Sequence, residues 1–301
     1  MKKIVYLLFV IAFLVSCEVQ GVKKSEKEIA KSKEVEEIKD EEQTSKKDAK
    51  VEKPNFSKPK DIIENKIEEK PNDTLELNNG IKIIYFKKGK GEKLSKGDVV
   101  NIDYRVKLED GTVYDGNHKV KKPFIPFLVG WNQQTIGWDI AMQELRVGDD
   151  VDIFLPAKYA RGEKGIKGLV PPHSNNILSL RILDKPEPTR VVDGIKVWKY
   201  DEYNVPGKSV TEGDEVLINY FVSSESNPRY DNSYQSGKPY KIVVGDKNVV
   251  PGLNKALKGA KEGDRLMILI PSEEAYGKDG LAEMVEANEA LFYDIQIAKV
   301  N

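Results

Sequence analysis

Residues 137–173 read GWDIAMQELRVGDDVDIFLPAKYARGEKGIKGLVPPH. A Gly-Trp opens a short amphipathic segment, followed by Arg146-Val147-Gly148-Asp149, an apolar strand to Leu155-Pro156, a glycine-rich loop and Pro171-Pro172-His173. The same outline returns at Gly252-Leu253, Lys261-Glu262-Gly263-Asp264, the strand to Ile270-Pro271 and Ala275-Tyr276-Gly277. The offset is 115 residues (252 − 137), and it holds for Gly148/Gly263, Pro156/Pro271, Gly162/Gly277 and Gly165/Gly280. A repeat of this length far exceeds a solenoid unit, so each copy is a complete small domain.

Upstream of the first copy's core stretch, Asn79-Gly80 signals a turn into the apolar run Ile81 to Phe86. Leu94-Ser95-Lys96-Gly97-Asp98 then turns the chain into a strand whose Val100, Ile102, Tyr104, Val106 and Leu108 share one face at period two. After Gly137, Trp138, Met142 and Leu145 fall on one face of a short helix, spaced i, i+4, i+7. Strands over 150–155 and 176–183 complete an antiparallel sheet able to pack one face on that helix. Lys185-Pro186-Glu187-Pro188 forms a joint stiffer than a glycine linker, and the pattern restarts at Asp193-Gly194-Ile195. The fold class expected is α+β, with domains over 74–184 and 191–301 and the joint at 185–190.

The N-terminus is of another kind. Lys2-Lys3, the apolar run Ile4 to Val15 and then Ser16-Cys17 resemble a bacterial lipoprotein signal, 1–17, in which Cys17 is lipidated and becomes the new terminus. The expected partner is a lipid bilayer, with each buried methylene worth about 0.8 kcal/mol, and the expected location is the bacterial cell envelope, outside the cytoplasm. Residues 18–73 are dense in Lys, Glu, Asp and Ser and too poor in apolar side chains to offset their ordering entropy, so they read as a disordered tether.

Composition excludes several classes. Lys and Arg total 48 against 49 Asp and Glu, which gives no global pull toward nucleic acid. One cysteine excludes a disulfide framework, and two histidines in unrelated contexts leave no zinc site; neither metal nor cofactor is expected.

Tyr104, Leu-Glu-Asp-Gly at 108 to 111, Tyr114-Asp115, Lys-Pro-Phe at 122 to 124, Gly137-Trp138, Val147-Gly148, Pro156, Gly162 and Gly168 to His173 together resemble the FKBP-type peptidyl-prolyl isomerases. The second copy resembles the same family through Tyr220, Tyr230-Asp231, Val249-Val250-Pro251-Gly252, Ala275-Tyr276-Gly277 and Ala290 to Asp294. The resemblance implies a twisted antiparallel sheet wrapped around one short helix, with an apolar pocket between them. It implies isomerisation of X-Pro bonds in unfolded or exported proteins without covalent chemistry, or, as the alternative, non-catalytic binding of such segments or a chaperone role with degenerate isomerase pockets. In the first domain it assigns Tyr104, Tyr114, Asp115, Phe124 or Phe127, Gln134, Thr135, Trp138, Val170 and Leu178 to the pocket. Trp138 is then the floor, Thr135 a backbone donor and Asp115 a rim group. In the second domain it assigns Tyr220, Tyr230, Asp231, Tyr240, Val249, Val250, Leu253, Tyr276, Val285 and Tyr293. Three departures from the family pattern stand out: Gln134-Thr135 in place of an apolar pair, Arg161 in place of a tyrosine, and Leu253 in place of the floor tryptophan.

Overall fold

The structure, a computed structural model, describes residues 71–201 and 207–301. The leader, Cys17 and nearly all of the tether assigned to 18–73 lie outside the described residues. In the first domain the strands are β1 (Asp73–Glu76), β2 (Lys82–Lys87), β3 (Val99–Leu108), β4 (Val113–Gly116) and β5 (Ile125–Leu128). The helix α1 (Ile136–Met142) follows, then β6 (Asp150–Leu155) and β7 (Asn176–Asp184). They form one antiparallel sheet in the order β1-β2-β6-β7-β3-β4, with β5 added to β3. The second domain contains β8 (Arg190–Val192), β9 (Ile195–Asp201), β10 (Glu215–Ser224), β11 (Asp231–Asn232), β12 (Tyr240–Val243), α2 (Pro251–Leu257), β13 (Asp264–Ile270) and β14 (Leu291–Val300). Its sheet runs β11-β10-β14-β13-β9-β8 with β12 on β10, which is the first topology repeated strand for strand.

Alternation along β3 explains the core. Val100, Ile102, Tyr104 and Val106 are buried on the helix side, as period two requires, while Leu108 at the strand end is only half-buried. The helix supplies the opposing face through Trp138 and Met142, continued by Leu145, all three buried. It sits close: a Cβ on Gly137 would stand 2.5 Å from the Tyr159 carbonyl oxygen and 2.9 Å from Leu155. Gly252 is as tightly held, 2.4 Å from Ile270 and 2.9 Å from the Glu274 carbonyl. Both repeated glycines therefore exist to let a helix lie against the turn after the following strand.

Burial on both faces appears where the two domains meet. Val99 and Asn101 at the start of β3, and Ser223 near the end of β10, are buried where alternation predicts exposure. Val99, Leu128, Trp131, Trp198, Met267 and Phe292 form a separate apolar cluster drawn from both domains. Trp131 and Phe221 each lie 6.3 Å from the Phe292 ring. Side chains of this size contribute about 1.5–3 kcal/mol each when removed from water. Trp198 of this seam pins the joint, its Nε1 donating to the Pro186 carbonyl at 2.9 Å, and Lys185 pairs with the exposed Glu92 of the first domain at 2.5 Å. Arg190 then donates to the carbonyls of Ala256 and Lys258, the acceptors left open at the end of α2.

Tyr200, on β9, donates its hydroxyl to Asn101 of the first domain at 3.3 Å, and burial pushes its phenol up to about 12. Its folded value lies above the unfolded value near 10, so its contribution is present below pH 10 and is lost as pH rises toward 12. Urea unfolding at pH 9 and pH 11.5 should show wild type losing more stability than Tyr200→Phe across that interval. Parallel losses in the two proteins would contradict the assignment.

Candidate functional site

In the first domain the helix face and the β3 face enclose an aromatic shelf. The Tyr104 ring meets Trp138 edge-on at 5.2 Å, and Phe127 lies tilted against the other side of Trp138 at 5.5 Å. Of the two phenylalanines considered, Phe127 is thus the pocket residue; Phe124 is half-buried outside the core cluster. Val170 and Leu178 are buried and back the shelf, Leu178 completely. Tyr104 donates its hydroxyl to Asp115 Oδ1 at 3.3 Å, and the same oxygen accepts the Gly116 N–H at 2.8 Å. Burial, then the Asp115 charge, push the Tyr104 phenol far above its ordinary value, so it acts only as a neutral donor.

The loop before α1 is held by Asp139, a buried carboxylate that accepts the N–H groups of Gly130 and Asn132. Its burial raises its pKa and the two N–H groups lower it again. The loop so fixed presents Gln133, Gln134 and Thr135. Thr135 is extended at the helix N-terminus with φ −104° and ψ 155°. Its carbonyl accepts from Trp138, whereas among the described residues nothing accepts its own N–H. Arg161 crosses the mouth: its Nη2 donates to Gln134 Oε1 at 3.1 Å, and its charge is felt at Tyr114 on the other side. Tyr114 donates to Asn176 at 2.9 Å.

The second domain builds the same frame with other side chains. Asn254 stands 115 residues after Asp139 and takes the Gly245 N–H at 2.8 Å, fixing the loop that carries Val249 and Val250. Val250 accepts from Leu253 and Asn254, and among the described residues nothing accepts its own N–H. The shelf comprises Leu253, Val285 and Tyr293, all buried, with Tyr220 at 6.3 Å from Tyr293 and 5.8 Å from Tyr240. Tyr240 is 57% exposed, which places it at the outer edge of the mouth and not in the wall. Tyr220 donates to Asp231 at 2.5 Å; burial first, and then this short charge-assisted bond, push its phenol well above the ordinary value and keep it protonated. Tyr276 takes the place of Arg161 and lies beside Tyr230, whose buried hydroxyl has no well-aligned acceptor. Burial first, and then the Tyr276 phenol, hold Tyr230 above its ordinary value.

The assigned residues therefore gather as two sets, Phe124 and Tyr240 lying at the margins. Sequence reasoning overlooked Asn117 and Ser233, which accept the backbone N–H of Tyr104 and Tyr220 at 2.8 and 2.9 Å and fix those strands. Their signal was available as a pair of short polar residues at the repeat offset of 116 (233 − 117). His173 has a backbone role: at φ 60° it donates its N–H to Gly162, and Asn288, 115 residues on, does the same to Gly277 at φ 63°.

A family model for FKBP-type peptidyl-prolyl cis-trans isomerases matches residues 90–182 and again 207–298. Peptidyl-prolyl cis-trans isomerase FKBP10 of Mus musculus is 26% identical over 208 residues, 68% of this chain and 34% of that protein. FKBP9 of Homo sapiens is 26% identical over 69% of this chain and 36% of its own length. FK506-binding protein 4 of Neurospora crassa is 35% identical over 42% of this chain and 26% of its length. The chain thus spans about a third of the curated relatives it matches. Among solved structures, the three FKBP domains of wheat FKBP73 align over 74% of this chain and 96% of that one, at 22% identity and a TM-score of 0.37.

Two tyrosine-to-phenylalanine changes separate a satisfied hydroxyl from an unsatisfied one. Tyr220→Phe, which strips Asp231 of its donor, should cost about 1–3 kcal/mol in urea unfolding. Tyr230→Phe should cost less than about 0.5 kcal/mol. The reverse order would show that the Tyr230 hydroxyl is the better bonded of the two.

Proposed function

Because the chain belongs to the FKBP-type peptidyl-prolyl cis-trans isomerase family, we propose that each of its two pockets binds an X-Pro segment of an unfolded or exported protein and speeds its isomerisation. The observation that carries this is the pairing, twice over, of an aromatic or apolar shelf with an open backbone N–H beside it, Thr135 over Trp138 and Val250 over Leu253. Rotation about an X-Pro bond requires the amide to lose conjugation at a barrier near 18–20 kcal/mol. A site that desolvates the bond, holds the proline ring on the shelf and gives a fixed N–H to a substrate carbonyl favours the twisted state, and each 1.36 kcal/mol gained there is tenfold in rate. No nucleophile is required, and the buried phenols of Tyr104 and Tyr220 serve as neutral donors at the rim.

The pockets differ in the direction of their departures. The first keeps an aromatic floor but carries Arg161 across its mouth; the second keeps Tyr276 but has a leucine floor. Arg161 supports a second reading of the first pocket, as a holder of proline segments that releases them slowly. Exchange of a prolyl peptide in the presence of the full chain should be accelerated, with kcat/KM lowered about tenfold or more for the double variant Trp138→Ala/Tyr276→Ala. No acceleration by wild type would remove the enzymatic reading and leave the binding one.

We further propose that Cys17 is acylated and that residues 18–73 tether the domains to the outer side of a bacterial envelope membrane. Support comes from the charged, apolar and Ser-Cys order of residues 2–17 and from the polar composition that follows. Among the described residues no helix is long and apolar enough to cross a membrane. In cells given a labelled fatty acid, the protein should carry label and sediment with membranes, and Cys17→Ser should lose both. Label retained in Cys17→Ser would contradict the assignment.

A further inference from the structure

The Thr135 N–H is only as well aimed as the loop that carries it, and the loops before the two helices are anchored differently. In the second domain the anchors are local. Asp246 Oδ1 takes the Asn248 N–H at 2.8 Å and its side-chain amide at 2.9 Å, and the Asp246 carbonyl accepts the Val249 N–H at 3.0 Å. Asn254 on α2 takes the Gly245 N–H at 2.8 Å and gives Nδ2 to the Asp246 carbonyl at 3.0 Å. In the first domain, Asp139 on α1 takes the N–H groups of Gly130 and Asn132. The next residue, Gln133, is held from the other domain: Arg229 donates through Nη2 to its main-chain carbonyl at 2.7 Å.

Arg229 is set up for this reach. Its φ is 55°, a conformation a bulky residue keeps only where its surroundings impose it. Its own N–H is given to Ser223 Oγ at 2.9 Å, and its guanidinium carbon stands 4.9 Å from the centre of the Phe221 ring. The buried Gln133 side chain bonds to the same Ser223 Oγ at 3.2 Å. Both ends of Gln133 are therefore tied to the second domain, and Lys96 with Glu225 closes the same edge at 2.5 Å. The Gln133 carbonyl lies in one rigid peptide plane and the Thr135 N–H in the next, so only the two soft torsions of Gln134 separate the anchor from the N–H. The Gln134 side chain is in turn bonded to Arg161 at 3.1 Å. A hydrogen bond weakens steeply once its donor is turned away from the acceptor, so the direction of this plane decides what Thr135 can do.

Resting on the reading that the first pocket receives a substrate carbonyl at Thr135, we propose that Arg229 of the second domain is a positioning residue of the first pocket, holding the Gln133–Gln134 peptide so that the Thr135 N–H points at the substrate. The first site is then complete only with the second domain in place. The second site carries its own anchors, and among the described residues nothing in the first domain bonds to the loop over 245–250. The dependence runs one way.

The test is an NMR titration of the full, isotope-labelled chain with the peptide Ala-Leu-Pro-Phe, reading the Thr135 and Val250 amides as separate reporters of the two pockets. In Arg229→Gln the peptide should bind about tenfold or more weakly at Thr135, the scale of one misdirected hydrogen bond, and within about twofold of wild type at Val250. Arg229→Lys should fall between the two. Trp198→Phe, which loosens the seam at the joint without touching the loop, should leave both affinities unchanged. Ser223→Ala removes one buried hydroxyl and keeps the guanidinium; it should weaken binding at Thr135 alone, and it decides the outcome if Arg229→Gln does not fold. Wild-type affinity at Thr135 in the deciding variant, equal losses at the two reporters, or an equal loss in Trp198→Phe would overturn the inference while leaving the pocket reading intact. No perturbation of Thr135 by the peptide in wild type would overturn the pocket reading, and this inference with it.

Discussion

A helix of seven residues has almost no stability in water, because the cost of its first turn is never recovered along its length. Both α1 and α2 are that short, so each exists only through close contact with a sheet and with the turn after the next strand. That contact is possible because residues 137 and 252 carry no Cβ. The pockets inherit their geometry from this constraint. A helix that must lie flat presents its first buried side chain, Trp138 or Leu253, as a shelf, and leaves the residue preceding the helix, Thr135 or Val250, in a non-helical conformation with its N–H bonded to no acceptor among the described residues.

The second constraint is the seam. Six apolar side chains from the two domains pack as a cluster of their own, and the joint is bonded into it through the Pro186 carbonyl, which accepts from Trp198. The described residues form one compact unit in consequence. The seam has a functional corollary, since Ser223, Arg229 and Gln133 connect it directly to the loop beside the first pocket. Duplication has thus produced two sites that are alike in frame and unlike in charge.

Much of this was legible in the sequence because it rests on local rules. The repeat offset located equivalent glycines, period two located the inner face of β3, and the i, i+4, i+7 spacing placed Trp138, Met142 and Leu145 inside. The shelf residues followed from family resemblance, and the structure distinguishes Phe127 from Phe124 by placing only the first against Trp138. What escaped was the domain contact. Trp198, Met267 and Phe292 occupy strand positions that a lone sheet would turn to solvent, and nothing local marks a side chain whose partner lies in the other domain. Arg229 was invisible for the same reason, and so were the tertiary bonds that hold the joint in addition to its prolines.

The central claim is that each pocket takes an X-Pro segment on its shelf with a substrate carbonyl at the open backbone N–H. A crystal structure of the chain with a short prolyl peptide tests it most directly. The account predicts a proline ring over Trp138 or Leu253 and a peptide carbonyl oxygen about 2.9 Å from the N–H of Thr135 or Val250. A peptide bound elsewhere, or those two N–H groups paired internally with the peptide present, would contradict it.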